Sequence, residues 1–303
     1  MTQKNSFLDR RSTAYLALTL ATASWAGNWV VARGLYQVFP PVALAFCRWT
    51  TACLILAPFA LPQVVRDWSN IRVHWLRMLA FGGVGTTAFA VLGYWGLQYT
   101  TSMNAVLLNA AIPVFTVLLG TAILRERPSG RLLCAVACAI GGTVLIATRG
   151  SPLQVLTIQL NRGDLILVFA IFVWAAYTVA LRWRPANMHG LSFMFVSTVI
   201  GVALCAPLFA LELQSGARPS ITSASILGVA YLALFPSITA YVCWNFAVPR
   251  VGHNIAGIFS NITAILGTGA SIVFLGEEAH WYHLWALLLV CLGVYLASTR
   301  GGN

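Results

Sequence analysis

Long apolar stretches alternate along the chain with short segments that carry most of its charged residues. A helix that crosses the ~30 Å hydrocarbon core of a membrane needs about 20 apolar residues, and ten stretches meet this requirement. They are numbered in chain order as spans 1 to 10 and lie at residues 13–32, 41–62, 76–97, 102–124, 131–148, 164–183, 190–211, 224–247, 254–276 and 281–299. The pattern therefore predicts an all-α integral membrane protein with ten transmembrane helices.

Composition excludes several classes of protein. Hydrophobic residues make up 59% of the 303 residues and charged residues only 8%, whereas about 25% of the residues of a soluble domain are charged. A soluble enzyme, a nucleic-acid binder and a disordered chain are therefore excluded. The net charge of +11 does not indicate a nucleic-acid partner, because an excess of arginine in a membrane protein sets its orientation. The partner that composition does predict is the lipid bilayer.

The basic side chains are distributed unevenly between the two ends of the predicted spans. If the N-terminus is cytoplasmic, thirteen of the 18 Lys and Arg residues fall in cytoplasmic segments and four fall outside, while Arg48 lies within span 2. Cytoplasmic segments of membrane proteins carry an excess of Lys and Arg. Both termini are therefore predicted to be cytoplasmic.

The second half of the chain repeats features of the first at a nearly constant separation. Residues of the same type recur 149 to 151 positions apart: Trp25 with Trp174, Glu126 with Glu277, and Gly142 with Gly293. Because each half contains an odd number of spans, the second copy must enter the membrane from the opposite side. We therefore predict two inverted five-helix repeats, at residues 1–150 and 151–303, which exchange roles as the protein opens to one side or the other.

Charged side chains are scarce inside the predicted spans. All seven acidic residues lie at span ends or in connectors, whereas a proton or sodium coupling site usually needs a carboxylate inside the membrane. Ion coupling through a carboxylate is therefore not expected. Arg48 has two readings: it is a functional residue, or its side chain snorkels to the outer interface. Glu126 and Glu277 are either gate residues or solvated helix ends.

Neutral polar and aromatic side chains lie within the spans, several of them near the middle, where the interfacial belts of Trp and Tyr do not extend. Amide groups are costly in lipid unless they face protein or water, so they are expected to point towards a central cavity or to hydrogen-bond another helix. Amides and aromatic rings together suit a neutral or zwitterionic substrate. The candidate substrate-binding residues are Trp25, Asn28, Tyr94, Trp174, Tyr177, Tyr241, Trp244 and Asn245.

Proline and glycine mark positions where spans 3, 4, 8 and 9 are expected to bend or to approach another helix closely. The candidate hinge and gate residues are Pro113, Pro236, Gly83 and Gly267, together with Glu126 and Glu277. Ordinary contacts of small residues between helices are the alternative reading of the glycines.

No pattern of catalytic or cofactor-binding residues is present in the sequence. The motifs of zinc proteases, serine hydrolases and phosphate-binding loops are missing, so an enzyme is not predicted, and neither a metal nor a cofactor is expected. His280 and His283 stand three residues apart but are expected to be exposed at the outer end of span 10. The seven cysteines lie within apolar runs and indicate no disulfide framework.

Spans 4 and 9 are both rich in small residues, and each ends in glutamate. Their equivalent segments run from Ala105 through Ile112-Pro113-Val114 to Arg125-Glu126-Arg127, and from Ala256 through Asn261-Ile262-Thr263 to Gly276-Glu277-Glu278. In these segments and in its ten spans in two copies, the chain resembles the EamA-type drug/metabolite transporter superfamily. The second copy departs from the pattern in having Ala264 where the first has Pro113.

Two further segments resemble one group of transporters within this superfamily. The sequences Phe172-Val173-Trp174-Ala175-Ala176-Tyr177 and Tyr241-Val242-Cys243-Trp244-Asn245 are similar to those of bacterial amino-acid exporters of the YddG type. The resemblance implies a basket-like bundle whose central cavity is formed mainly by spans 1–4 and 6–9, with spans 5 and 10 at the periphery. It also implies a bacterial inner membrane and export of aromatic or other neutral amino acids and related metabolites.

The leading hypothesis is an exporter of amino acids or similar small metabolites that works by alternating access through the central cavity. An exporter of cationic drugs or quaternary amines is the alternative within transport, and a membrane-embedded enzyme that modifies lipids is the alternative outside it. The expected partners are a small-molecule substrate and the lipid bilayer. Both a monomer and a homodimer remain open.

Overall fold

The computed structural model describes residues 11–123, 129–151, 161–251 and 253–298, which form helices and turns without a strand. The α-helices, numbered in chain order, are α1 (Arg11–Gly34), α2 (Pro41–Arg66), α3 (Trp68–Val73), α4 (Trp75–Phe81), α5 (Phe89–Gly96), α6 (Ser102–Asn109), α7 (Ile112–Ile123), α8 (Gly130–Ala147), α9 (Arg162–Ala180), α10 (Gly190–Gln214), α11 (Ser223–Leu234), α12 (Ala240–Val251), α13 (His253–Leu275) and α14 (Trp281–Ser298). Span 3 comprises α4 and α5, span 4 comprises α6 and α7, and span 8 comprises α11 and α12.

Six helical segments of the described chain are long and apolar enough to cross a membrane. They are Pro41–Arg66, Trp75–Gly96, Ser102–Ile123, Arg162–Trp183, Gly190–Gln214 and Ser223–Trp244. Three shorter apolar segments accompany them, at Gly130–Ile146, Ile262–Leu275 and Trp281–Leu296. The prediction of an all-α, multi-pass membrane protein is confirmed, while the number of ten spans and the cytoplasmic placement of both termini stay predictions.

Large apolar side chains point away from the bundle at many positions. Leu54, Phe59 and Phe274 are 71%, 68% and 76% exposed. In water such surfaces would favour association, whereas in a bilayer the lipid tails are as apolar as these side chains. Small residues such as Ala43 and Ala52 are fully buried instead, which allows the helix backbones to approach one another closely.

Spans 3 and 8 are each interrupted by a π-helical segment. Gly82–Ala88 joins α4 to α5, and Phe235–Thr239 joins α11 to α12. Glycine weakens the α-helix in the first segment, and Pro236 has no backbone N–H to donate in the second. Such segments are rare and often occur at functional sites. Two of the hinge candidates, Gly83 and Pro236, therefore lie where these helices change their winding.

The other two hinge candidates occupy different surroundings. α6 ends at Asn109 and α7 begins at Ile112, because Pro113 lacks the N–H that would bond the carbonyl of Asn109. Gly267 lies instead within the unbroken helix α13. A Cβ atom at Gly267 would lie 2.6 Å from Cγ1 of Val106. Gly267 therefore permits a close contact between α13 and α6 and does not mark a break.

α2 and α10 lie antiparallel and are connected at both ends by carboxylates. At one end, Glu212 accepts hydrogen bonds from the backbone N–H groups of Val42 at 3.1 Å and Ala43 at 2.7 Å, at the start of α2. At the other end, Asp67 accepts from the backbone N–H of His189, which precedes α10, at 2.9 Å. A helix N-terminus attracts negative charge through its unpaired N–H groups and its dipole. This pair of helices is therefore held at both ends.

The π-helical segment of span 3 lies very close to α10. A Cβ atom at Gly201 would lie 2.4 Å from Cβ of Thr86, and one at Gly82 would lie 2.6 Å from the carbonyl oxygen of Ser197. Thr87 Oγ1 also donates to the carbonyl of Gly201 at 2.7 Å. This contact therefore depends on glycine from both elements.

Gly201→Ala is expected to lower the free energy of unfolding by about 1–3 kcal/mol, because the added methyl group overpacks the contact with Thr86. Gly269→Ala is the matched control, since a Cβ at Gly269 meets no atom within 4 Å and both changes favour the helix equally. Thermal unfolding of the two purified variants in detergent measures the difference. Equal midpoints would contradict this close contact.

Candidate functional site

Arg48, in the first half of α2, lies at the centre of a buried hydrogen-bond network. Its Nε donates to Ser237 Oγ at 2.6 Å, and its Nη1 donates to Asn28 Oδ1 at 2.9 Å and to the hydroxyl of Tyr94. The Tyr94 hydroxyl itself donates to Asn28 Oδ1 at 3.0 Å. Three neutral oxygen atoms therefore join α2 to α1, to α5 and to the π-helical segment of span 8.

The burial of Arg48 decides between its two readings. The residue is only 7% exposed, so its side chain does not snorkel to the end of α2. The guanidinium carbon lies 4.6 Å from the ring centre of Trp49 and 5.9 Å from that of Tyr94, and cation–π attraction adds to its hydrogen bonds. The snorkelling reading is therefore wrong.

Trp25 brings a group of aromatic rings next to this network. Its ring centroid is 6.0 Å from that of Tyr241 and 5.1 Å from that of Trp244. Its Nε1 donates to the backbone carbonyl of Pro236 at 3.3 Å, one residue before the serine that binds Arg48. Trp25 therefore connects the aromatic rings of α12 to the segment of span 8 that binds Arg48.

A second aromatic group lies on α9 and on span 3. The ring centroid of Trp174 is 4.6 Å from that of Phe89 and 5.0 Å from that of Tyr177. Gly85 leaves room for the Tyr177 ring, since a Cβ there would lie only 2.4 Å from it. The ring centroid of Phe89 also lies 6.4 Å from that of Trp29, so the second group lies next to α1, the helix that carries Trp25 and Asn28.

The Arg48 network and the two aromatic groups form what we call the central cluster. It consists of Trp25, Asn28, Arg48, Tyr94, Trp174, Tyr177, Ser237, Tyr241 and Trp244. Seven of the eight predicted substrate-binding residues lie within it. The side chain of the eighth, Asn245, lies outside the described part of the chain, as does the gate candidate Glu126. That these residues bind substrate stays a prediction.

The central cluster offers binding groups rather than reactive ones. It contains aromatic rings, an amide, hydroxyls and a guanidinium, and the guanidinium is always charged. Among the residues that the structure describes, no group of three or more His, Cys, Asp or Glu side chains could hold a metal ion. The arrangement can therefore hold a small polar molecule with an apolar part.

Glu277 holds the start of α6 at the predicted outer end of the bundle. Its Oε1 accepts from the backbone N–H and the hydroxyl of Ser102 at 2.8 and 3.0 Å, and its Oε2 accepts from the N–H of Met103 at 2.9 Å. Ser102 also shares a hydrogen bond of 2.6 Å with Ser271 of α13. Glu277 is therefore not simply a solvated helix end, because it binds α6 to the end of α13.

A second polar contact at this end connects α6, α9 and α14. Asp164 accepts from Thr100 Oγ1 at 2.6 Å and from Asn104 Nδ2 at 3.4 Å, and Asn104 Oδ1 lies 3.2 Å from Nε2 of His283. Asp164 is 3% exposed and His283 is 7% exposed. The expectation that both histidines are exposed is therefore wrong for His283, while His280 is exposed.

A cavity of about 540 Å³ opens beside these two contacts. Arg33 and Arg149 contribute positive charge to its lining, and Glu277 and Glu278 contribute negative charge. Asn104 also lines it, whereas no member of the central cluster does. The cavity is therefore a polar vestibule at the predicted outer end and is distinct from the central cluster.

Sequence reasoning missed Ser237 and Asp164 as members of these contacts. Serine is common inside apolar helices, so nothing in the sequence pairs Ser237 with Arg48. Asp164 is the first residue of span 6, where an acid is typically exposed at the membrane interface. Its burial follows from the close approach of two glycines, since a Cβ at Gly163 would lie 2.6 Å from the carbonyl oxygen of Gly96. A glycine directly before the acid, Gly163-Asp164, is the sequence feature that could have indicated this burial.

A helical membrane bundle that encloses a polar and aromatic cluster is typical of a small-molecule transporter. The model of the EamA-like transporter family matches residues 12–148 and 161–299, which together make up most of the chain. The chain therefore belongs to the EamA-like transporter family and is a multi-pass membrane transporter. The resemblance seen in spans 4 and 9 is confirmed, and the family favours transport over the lipid-modifying enzyme.

Several relatives are similar over most of the chain. The "Probable terminal-alkyne amino-acid exporter" of Streptantibioticus cattleyicolor is 29% identical over 292 residues, which cover 95% of this chain and 94% of the relative. The "Probable amino-acid metabolite efflux pump" of Salmonella typhimurium is 24% identical over 94% of both chains. The uncharacterized transporter YyaM of Bacillus subtilis is 26% identical over 86% of this chain and 85% of its own. A crystal structure with 21% identity shares the fold, with a TM-score of 0.62 over 95% of this chain and 97% of that chain.

Glu277→Gln is expected to lower the free energy of unfolding by about 1 kcal/mol, because a neutral amide binds the N-terminus of α6 more weakly than a carboxylate does. Glu278→Gln is the matched control, since its side chain is 87% exposed. Thermal unfolding in detergent compares the two variants with the unmodified protein. If both variants unfold at the same temperature, the contact of Glu277 with α6 does not stabilise the bundle.

Proposed function

We propose that this transporter exports amino acids, aromatic or otherwise neutral, and related small metabolites across a bacterial inner membrane by alternating access. The observation that carries the proposal is the central cluster, which combines hydrogen-bonding groups with aromatic faces inside an apolar bundle. Such a combination of groups suits a small zwitterion, because polar groups fix its orientation. Aromatic rings bind either its ammonium group or an apolar side chain.

The names of two relatives support the same substrate class. One relative is named as an amino-acid exporter and the other as an amino-acid metabolite efflux pump. Their identities to this chain are 29% and 24%, so they support a class of substrate rather than one compound. The central cluster supplies the independent physical reason for the same class.

The proposal includes ten spans arranged as two inverted repeats, at residues 1–150 and 151–303. The reciprocal contacts of α2 and α10 support it. Asp67 follows α2 and binds the backbone at the start of α10, and Glu212 near the end of α10 binds the backbone at the start of α2. The π-helical segments support it as well, because Gly85 and Pro236, 151 positions apart in the sequence, lie within the two segments. Inverted repeats allow two conformations that open to opposite sides.

The broken helices are the elements that we expect to move. Spans 3, 4 and 8 each contain a break, whereas α2 and α10 are continuous and are joined at both ends. Glu277 holds α6 to α13 at the predicted outer end, so the loss of this contact would free that end to open. In this proposal α2 and α10 form the support against which the broken helices rearrange.

Transport in this proposal needs no carboxylate at the centre of the membrane. The described side chains of the central cluster include neither Asp nor Glu, and the buried Asp164 lies at the predicted outer end. We therefore propose that substrate moves by facilitated diffusion or by exchange, without a proton or sodium ion bound to a central acid.

Export of cationic drugs or quaternary amines is the alternative. The rings of Trp25 and Trp244 favour it, because aromatic faces bind organic cations. The guanidinium of Arg48 disfavours it, since a permanent positive charge belongs to the same central cluster. Amino acids are therefore the preferred class.

Proteoliposomes that contain the purified protein are expected to exchange labelled L-phenylalanine and L-tryptophan faster than empty liposomes, with saturation at high substrate concentration. A labelled quaternary ammonium drug tests the alternative in the same vesicles. Absence of flux for every amino acid in a full panel would overturn the proposal. Flux of the drug alone would establish the alternative.

Trp25→Ala and Trp244→Ala are each expected to weaken the apparent affinity for L-phenylalanine roughly tenfold, because each removes an aromatic face from the central cluster. Trp75→Ala is the control, since Trp75 is 56% exposed at the start of α4. Exchange measured over a range of substrate concentrations gives the affinities. An equal loss in all three variants would mean that these two tryptophans do not form part of the binding site.

A further inference from the structure

The positive charge of Arg48 has no counter-ion among the described residues. The groups that bind it are an amide oxygen and two hydroxyl oxygens. In the described part of the chain, the only contact within 4.0 Å between a basic and an acidic side chain joins His280 to Glu278, at the predicted outer end. Neutral acceptors stabilise a buried guanidinium less than a carboxylate does. Among the described side chains, the positive charge of the central cluster therefore has no counter-ion.

One edge of this guanidinium is not used by the described side chains. Arginine has five N–H donors, and Nε and Nη1 of Arg48 make three hydrogen bonds. No described residue accepts a hydrogen bond from its Nη2. A planar guanidinium binds a carboxylate through two parallel N–H groups, so a carboxylate can bind at Nη2 and at one donor that a neutral oxygen now occupies.

The surroundings of Arg48 fit the rest of a small acid. Trp25 and Arg48 bind consecutive residues of span 8: Trp25 binds the carbonyl of Pro236, and Arg48 binds the hydroxyl of Ser237. Trp25 in turn lies against Tyr241 and Trp244. An apolar side chain held against these rings would bring its own carboxylate next to the guanidinium.

We propose that Arg48 binds the carboxylate of the transported molecule and so restricts transport to compounds that carry a carboxylate beside an apolar or aromatic group. The inference rests on the proposed function and deepens it by assigning the group that selects the substrate. Amino acids and small organic acids satisfy the requirement. Amides, amines and quaternary ammonium compounds lack the carboxylate and bind weakly.

Binding at Arg48 also reaches the bent part of span 8. Ser237 Oγ accepts from Arg48 and donates to the carbonyl of Leu232 at 2.7 Å, a bond that runs from the π-helical segment into α11. A carboxylate that binds through the parallel N–H groups of Nε and Nη2 competes with Ser237 for Nε. The arrival of substrate therefore alters a hydrogen bond of the segment that we expect to move.

The test uses the full-length protein and three probes that share a phenyl ring: L-phenylalanine, 3-phenylpropionate and L-phenylalaninamide. The second lacks the ammonium group and the third lacks the carboxylate. Quenching of tryptophan fluorescence reports binding directly, and exchange in proteoliposomes reports transport. We expect both carboxylates to bind about tenfold more tightly than the amide, which corresponds to one charge-assisted contact.

Arg48→Gln is expected to weaken binding of both carboxylates by about tenfold to a hundredfold and to change that of the amide by less than about threefold. Arg48→Lys keeps the charge but not the planar fork, so it is expected to retain part of the preference. Arg77→Gln is the control, because Arg77 is exposed at the start of span 3, and it should bind all three probes like the unmodified protein.

An equal loss for all three probes in Arg48→Gln would show that Arg48 only supports the fold, and an unchanged affinity for the carboxylates would also overturn the inference. If Arg48→Gln fails to fold, the preference of the unmodified protein and its reduction in Arg48→Lys decide the question. Exchange of phenylalanine without any preference for carboxylates would refute the role of Arg48 and leave the proposed function standing. Selective binding of 3-phenylpropionate without flux of any amino acid would support the role of Arg48 in binding a carboxylate and refute the proposed function.

Discussion

A guanidinium inside a membrane bundle must be surrounded by oxygen atoms, because an isolated charge in apolar surroundings is strongly unfavourable. Arg48 meets this requirement through Asn28, Tyr94 and Ser237, which lie on three other elements. The hydrophobic effect does not draw helices together within lipid, so contacts of this kind specify which helices meet. Trp25 donates a hydrogen bond to the carbonyl of Pro236, the residue before Ser237, and the site is thus part of what holds the bundle together.

The ends of the helices impose a second constraint, since their N–H groups need partners where water is scarce. Carboxylates provide those partners: Glu212 at the start of α2 and Glu277 at the start of α6. Between these ends, α2 and α10 are continuous, while the helices that carry Tyr94 and Ser237 adjoin or contain π-helical winding. The elements with the weakest regular structure are therefore the ones that carry the polar groups of the site.

Residue type and position along the spans predicted most members of the central cluster but not the contacts at the outer end. Trp25, Tyr241 and Trp244 were recognisable because aromatic residues deep in apolar spans have no interfacial role to explain them. His283 was misjudged because a histidine near a span end is normally exposed. Its burial depends on Asn104, 179 positions away in the sequence, and no local pattern contains that contact.

The sequence by itself determined that the chain lies in a membrane, that it is helical and where spans 3, 4 and 8 are weakened, because hydropathy, proline and glycine act within one helix and are read locally. Only the tertiary structure decided that Arg48 is enclosed and that Asp164 is buried. Burial of a polar side chain in lipid depends on the partners that neighbouring helices bring to it. The partners of Arg48 stand 20 to 189 positions from it along the chain. They meet because the helices approach one another, which the composition of each helix does not reveal.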